Sequence, residues 1–550
     1  MKKNTHPLIR STLILTTAGL ISRIIGFYYK VFLASMIGAE GIGIYQMIFP
    51  LYVLCVSLSS SGIQTAISRF TAAYLSTGRS RKAWTLFRTG LLMALAVSCL
   101  LTLFLYNFSE PVALYFLKEE RCIPLLQLIA FAIPLEAIHT CASGYFLGQQ
   151  KPGVPAFTQL FEQTVRVGST FLLYQIFLEK KLPPSPLLAA AGLLAGEAAA
   201  ALLILTRLAL QSSPEKKETA QISFKKQPKK KDSSQSSPKS RPDSQNAPLT
   251  VRKNRSRISS LPTSSAKFPN LTAICSVAAP INFNRLLLNL LHSAEAAMIP
   301  MRLQQYYKSA DQALASYGIF TGMAMPLIMF PSAITSSLSM VLLPSVSEAS
   351  ALNDRKKIAA TVESTMLLCL SLGITFTAAF LEFGPSMGIL LYQNGRVGSY
   401  LTTLAWICPF LYLTATNSSI LLGLGKTKAV FVHNLTGQLI HFISSYLLIP
   451  PLGMQGCLIG LLISQLAASV LSMRTLRKEV PFTFHAALWI LRPSVCCLLA
   501  QLLLRLLQRL LPILALPDRW ISFLLSGSIW GLLVLVFHFS FHFLFHGKCL

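Results

Sequence analysis

The chain has 550 residues, 53% hydrophobic and 12% charged, with a mean hydropathy of +0.56 and a formal net charge of +28. That balance excludes a soluble enzyme of this length and fits a helical protein that crosses a membrane many times. The eleven cysteines are scattered through apolar runs with no C-x-x-C spacing, so they read as small buried hydrophobes rather than a disulfide framework or a zinc site.

In chain order, hydropathy predicts about fourteen spans of roughly 20 apolar residues each. The first six cover 12–37, 44–68, 86–108, 122–147, 154–178 and 186–210. Eight more cover 270–300, 314–346, 362–381, 397–422, 429–449, 453–473, 486–510 and 520–546. The first is too long for a cleaved signal peptide and is interrupted by Arg23 and Lys30. Those two cations share a helical face with Gly19 and Gly26, because 19, 23, 26 and 30 follow the i, i+4, i+7, i+11 pattern. A mid-bilayer Arg or Lys costs roughly 2.5–3.5 kcal/mol on insertion scales, so this stripe is expected to face protein or water.

Further ionisable residues sit in later spans. Glu136 and His139 lie in span four, Glu162 and Arg166 in span five at i, i+4, and Glu197 in span six. The Glu162–Arg166 order favours an intrahelical pair. Span seven carries Asn282, Asn284, Arg285, His292 and Glu295, with Arg302 at its end. Arg285 is a second candidate for a cavity wall, and Glu295 is expected to pair with Arg302. His433, Asn434 and His441 in span eleven read as polar contacts between helices, or as groups that bind a coupling cation, sodium or a proton, together with span seven. No residue pattern calls for a metal or an organic cofactor.

Between spans six and seven, residues 212–268 hold 14 Lys and Arg against four acids and are rich in Ser, Pro and Gln. Such a segment cannot bury enough apolar surface to order itself, and is expected to be a disordered, basic cytoplasmic linker. Anionic lipid is its alternative partner, worth about 1 kcal/mol per basic residue held near the surface. Nucleic acid is not expected, because no aromatics interleave with the charges. The chain therefore divides into a six-helix lobe (1–211), the linker (212–268), a second six-helix lobe (269–480) and two additional helices (481–550).

Two landmarks recur 275 residues apart. Arg81-Lys82 corresponds to Lys356-Lys357, and "GQQK" (148–151) corresponds to "GLGK" (423–426). An even number of spans per unit predicts parallel repeats related by a two-fold axis along the membrane normal, with a substrate cavity at their interface. The short connections on the N-terminal side hold 18 Lys and Arg against eight on the other, which places both termini in the cytoplasm. "GLGKT" (423–427) is not a nucleotide loop, since the required earlier glycine is Ile420 and no strand precedes it.

The run "GLISRIIGFYYKVFLASMIGAEGIGIYQMIFPLYVLCVSLSSSGIQTAISRF" (19–70) resembles the first two helices of the stage V sporulation protein B group. That group stands beside the MurJ-type lipid II flippases in the multidrug/oligosaccharidyl-lipid/polysaccharide exporter superfamily. "AAPINFNRLLLNLLHSAEAAMIPMRLQ" (278–304) and "LLPSVSEA" (342–349) echo the resemblance in the second half. It implies a two-lobed bundle in a bacterial cytoplasmic membrane that moves a polyprenyl-pyrophosphate-linked glycan by alternating access. It also implies arginines on the pyrophosphate, with Arg23 the position that carries over, and cell-wall synthesis enzymes as neighbours. Tyr29 stands where MurJ-type proteins tend to have a second Arg, with Lys30 one step later, and nothing basic lies between Tyr45 and Ser68. A fork of Arg donors suits phosphate oxygens independently of any family. The rivals are a multidrug or cation antiporter of the same superfamily and a membrane-embedded glycan-processing enzyme. The enzyme would need an outer catalytic loop, and none of the expected outer loops exceeds 20 residues.

Overall fold

The computed structural model describes residues 7–210, 269–510 and 519–546, and the expected linker at 212–268 lies outside the described residues. The described residues contain helices and turns and no strand. The N-terminal lobe comprises α1 (Pro7–Val56), α2 (Gly62–Ser76), α3 (Ser80–Asn107), α4 (Ile123–Ala130), α5 (Ala132–Gly148), α6 (Gly153–Glu179) and α7 (Leu187–Leu210). The C-terminal lobe comprises α8 (Pro269–Tyr307), α9 (Ala310–Gly318), α10 (Ser332–Ala351), α11 (Arg355–Tyr392), α12 (Cys408–Gly423), α13 (Thr427–Leu452) and α14 (Met454–Glu479). The additional helices are α15 (Arg492–Leu510) and α16 (Arg519–His546). They dock on α11, where Phe383 meets Trp530 at 5.9 Å between rings and Glu382 accepts from Arg505 at 2.8 Å.

Among the described residues, nine helices are long and apolar enough to cross a membrane, or ten if the bent pair spanning 120–148 is one crossing. The stretch Thr17–Ser76 contains two of the expected spans. Helices α6, α8 and α13, expected as spans five, seven and eleven, have 27, 39 and 26 residues but fall outside the apolar set. They carry Glu162 and Arg166, His292 and Glu295, and His433 and His441. A helix that turns one face to a polar interior loses mean hydropathy without losing length. The connection expected at 38–43 shortens to a break at a single residue. Gly38 alone leaves the helical region, at φ 69° and ψ 179°, and the helix resumes beside it.

The 275-residue offset recurs in the backbone. Left-handed residues end helices at Gly78 and Asn353, at Lys118 and Gln393, and at Gln150 and Gly425. The sequence explains a deeper correspondence. Pro134 and Pro409 have no N–H, so the carbonyls four residues earlier, Ala130 and Ala405, lose their helical donor. Thr102 Oγ1 donates to the Ala130 carbonyl at 2.8 Å, and Thr377 Oγ1 donates to the Ala405 carbonyl at 2.9 Å. Both lobes thus bend one helix at a proline and satisfy the exposed carbonyl with a threonine from the neighbouring helix, as an apolar surrounding demands. These are two copies of one folding unit.

The lobes meet across a reciprocal contact. A side chain at Gly43 would run into the carbonyl of Leu314, and one at Gly318 would run into the carbonyl of Ala39. Gly43 and Gly318 are equivalent under the offset, as are Ala39 and Leu314. A patch that contacts its own copy in this way lies on the two-fold axis relating the copies. Here two helices cross backbone to backbone, which only glycine permits. Gly318→Val should therefore cost at least about 1–3 kcal/mol of stability, read as a lowered melting temperature of the detergent-solubilised protein. Gly527→Val, where a side chain would meet nothing within 4 Å, is the control expected to leave it unchanged.

Candidate functional site

Three adjoining cavities lie between the lobes. The largest, about 440 Å³, is walled by Arg23, Gly26, Phe27 and Lys30 from α1 and by Phe330, Ser332 and Ser336 from the C-terminal lobe. A second, about 140 Å³, shares Gly26 and Lys30 with it and adds Tyr29, Gln163 and Arg166. A third, about 290 Å³, touches the second at Phe49 and is lined by Asn289, His292, Glu295 and His441. The predicted stripe of small and basic residues on α1 therefore forms cavity wall at Arg23, Gly26 and Lys30. Gly19 has open space beside it and lies outside the three linings. Arg23 Nη1 donates to Ser336 Oγ at 3.0 Å across the lobes rather than to a carboxylate, so its charge is not neutralised by that contact.

One end of this space is closed. Beyond the Gly43–Gly318 crossing, Arg121 binds Glu40 of α1, Glu119 at 2.5 Å and Asp311 of α9 at 3.2 Å. One guanidinium thus holds both lobes together at the Gly38 end. Nothing in the sequence joins these residues, because they sit in short polar connections that carry no helical periodicity.

Behind the second cavity, α5, α6 and α7 bring together Glu136, His139, Glu162, Arg166 and Glu197. Arg166 Nη2 donates to Glu162 Oε1 at 2.5 Å and to Glu197 Oε1 at 3.0 Å. The predicted pair within α6 is therefore one side of an interhelical network. Gly192 and Gly196 bring α7 close enough for this, since a side chain at Gly196 would stand 3.1 Å from Arg166 Cβ. His139 Nδ1 lies 3.4 Å from Glu136, 3.8 Å from Glu162 and 4.0 Å from Glu197. Thr140 Oγ1 donates to Glu136 at 2.5 Å.

In the C-terminal lobe the expected Glu295–Arg302 pair does not form. The two are seven residues apart on α8, and Glu295 turns to α13, where His441 Nδ1 contacts it at 3.0 Å and Gln438 Nε2 donates to it at 2.5 Å. Arg302 instead stacks its guanidinium over Tyr446, 3.4 Å from the ring centroid, and donates to Gln305 at 2.9 Å. His433 contacts Thr475 at 3.0 Å, a link between helices. Arg285 lies one turn before Asn289, on the same helical face as Asn289 and His292. It is exposed and lies outside all three cavity linings. Nine described cysteines are free thiols, eight of them buried, in keeping with their reading as apolar filler.

Arg166 has a measurable structural weight. Arg166→Leu would leave the buried Glu162 and Glu197 without their positively charged partner, and breaking a buried pair in this way costs about 3–5 kcal/mol. The expected readout is a larger fall in melting temperature than for Arg23→Leu, whose exposed guanidinium answers a serine.

Residues 8–231 match the family model described as polysaccharide biosynthesis protein, and residues 280–447 match the MatE model. Stage V sporulation protein B of Bacillus subtilis (strain 168) is 25% identical over 485 residues, covering 88% of this chain and 86% of that protein. Lipid II flippase MurJ of the same organism is 27% identical over 183 residues, covering 31% of this chain and 34% of that one. Among solved structures, lipid II flippase MurJ in an inward closed conformation superposes with a TM-score of 0.68 at 14% identity, covering 96% of this chain and 99% of that chain. An inward-facing multidrug resistance MATE family transporter gives a TM-score of 0.61 at 13% identity, covering 85% and 98%. The chain is thus a multi-pass membrane protein, homologous to stage V sporulation protein B and the MurJ flippase, with the fold that MurJ shares with MATE transporters of the MOP superfamily.

Proposed function

We propose that this transporter moves an undecaprenyl-pyrophosphate-linked peptidoglycan precursor, similar to lipid II, from the inner to the outer leaflet of the bacterial cytoplasmic membrane. The observation that carries this reading is the basic wall of the interlobe cavity, where Arg23 and Lys30 stand with no carboxylate among the lining residues of that cavity or of the second one, which Lys30 also lines. A pyrophosphate needs this chemistry, because charge-assisted hydrogen bonds replace water that the head group must shed. Ser332 and Ser336 complete a wall that can hydrogen-bond phosphate or sugar oxygens. The named activity of MurJ and the polysaccharide biosynthesis family description support the substrate class. The activities printed for the similar proteins, a flippase and a multidrug transporter, weigh against a glycan-processing activity.

With both termini in the cytoplasm, as the charge count predicts, the Arg121 group would be the seal on the outer side. Export then requires that seal to open and the opposite side to close. A coupling cation, sodium or a proton, would bias this exchange. Residues 212–268 would remain on the cytoplasmic side, near anionic lipid.

The test is a reconstituted flipping assay with fluorescent lipid II in liposomes. Arg23→Ala should slow flipping by about tenfold to a hundredfold, the equivalent of the roughly 1.5–3 kcal/mol of a hydrogen bond to a charged group. Lys30→Ala should slow it less. Unchanged flipping in a folded Arg23→Ala variant would reduce Arg23 to a structural link with Ser336. Absence of flipping by the unmodified protein under an imposed potential or ion gradient would favour the multidrug or cation antiporter.

A further inference from the structure

Arg166 has two surroundings. Its guanidinium is bound by Glu162 and Glu197, yet the same residue lines the 140 Å³ cavity beside Lys30, Tyr29 and Gln163. The cluster behind it is unbalanced. Three carboxylates, from Glu136, Glu162 and Glu197, face one guanidinium and one imidazole. Glu197 is 96% buried, being 4% exposed, and its Oε2 has no hydrogen-bond partner. His139 Nδ1 and Arg166 Nε are likewise buried and accept or donate no hydrogen bond. Uncompensated negative charge away from water costs several kcal/mol per ion, so such a cluster draws in a cation.

The donor atoms favour a proton. Glu136, His139 and Glu197 each present one within 4.8 Å of the others, and the His139 nitrogen faces a carboxylate oxygen from each of three helices. An imidazole among carboxylates is a good proton acceptor, whereas hard cations prefer all-oxygen sets. The titratable and charged groups facing the cluster are known on each packed element. They are Glu136, His139 and Cys141 from α5, Glu162 and Arg166 from α6, Glu197 from α7, and Tyr29, Lys30, Tyr45 and Tyr52 from α1.

We propose that the Glu136–His139–Glu162–Glu197 cluster is a proton-binding site that decides whether Arg166 is available to an anion in the interlobe cavity. A proton drawn from cavity water onto Glu197 Oε2 or His139 Nδ1 weakens the hold of the carboxylates on Arg166. The released guanidinium then joins Lys30 in the wall. Without that proton, Arg166 stays committed to Glu162 and Glu197. Proton and anion consequently bind with positive cooperativity, and the coupling is reciprocal. The repeat places His441 at the position equivalent to Arg166, where it contacts a single carboxylate, Glu295. The carboxylate excess is a property of the N-terminal lobe.

This inference rests on the reading of the cavity as an anion site, and one experiment separates the two. Inorganic pyrophosphate is titrated onto the full-length protein in detergent at pH 6 and pH 8, for the unmodified chain and for Glu197→Gln. Because pyrophosphate titrates identically in both arms, the ratio of the two affinities is the readout. Glu197→Gln should bind about tenfold more tightly than the unmodified chain at pH 8, with the gap closing at pH 6. An equal pH dependence in both proteins would overturn the proton site while leaving the anion cavity standing. Tightening by sodium with no pH effect would also overturn it, by making sodium the occupant. No pyrophosphate binding by either protein would overturn both readings. Should Glu197→Gln fail to fold, calorimetry of the unmodified chain in buffers of different ionisation heat counts the protons directly. About one proton taken up by the protein per pyrophosphate supports the proposal, and none overturns it.

Discussion

Two helices crossing at Gly43 and Gly318 set the geometry on which everything else depends. The crossing lies on the axis relating the lobes, and each glycine packs on the backbone four residues before the other's position. Contact this close at one end holds the lobes together there, while the cavities lie farther along the interface. The Arg121 group stands at the same end, so steric closure and ionic closure coincide. Neither needs to be strong. The ion pairs are exposed and worth roughly 0–1 kcal/mol each, so they fix the register of the contact more than they strengthen it.

Charge placement follows a second constraint. Hydrocarbon tolerates no unpaired ion, so every intramembrane charge must answer another group or face a wet cavity. Arg23 and Lys30 take the second course. Arg166, Glu162, Glu197, Glu136 and His139 take the first, apart from the side of Arg166 that reaches the cavity. The C-terminal lobe solves the same problem more sparingly, with Glu295 shared between His441 and Gln438. The lobes therefore share a backbone plan while differing in electrostatics, and among the described residues the excess of buried carboxylates lies in the N-terminal lobe, beside the basic cavity wall.

The duplication is visible in the sequence as two short basic landmarks, yet its strongest marks are backbone features that short matches do not reveal. Pro134 and Pro409 read as ordinary helix-bending residues until Thr102 and Thr377 are found on the carbonyls they orphan. Counting spans by hydropathy alone worked best where helices face lipid and worst at α6, α8 and α13, whose polar faces look inward. The Glu295–Arg302 expectation failed for a related reason. Residues seven apart on one helix are nearly two turns distant, whereas a side chain on a packed neighbour can be within 3 Å.

Composition and periodicity by themselves determined an all-helical, many-spanned membrane protein, a basic stripe on the first helix and a paired architecture. Those properties are local or additive: apolar length fixes a span, a helical repeat fixes a face, and a common offset fixes a duplication. Tertiary structure alone decided which charges neutralise one another, that Arg23 answers a serine while Arg166 is bound by two carboxylates, and where the lobes touch. Those outcomes depend on distances between helices that are remote in sequence. Close approach between such helices is set by the shape of the packed interface, which periodicity along one helix does not encode.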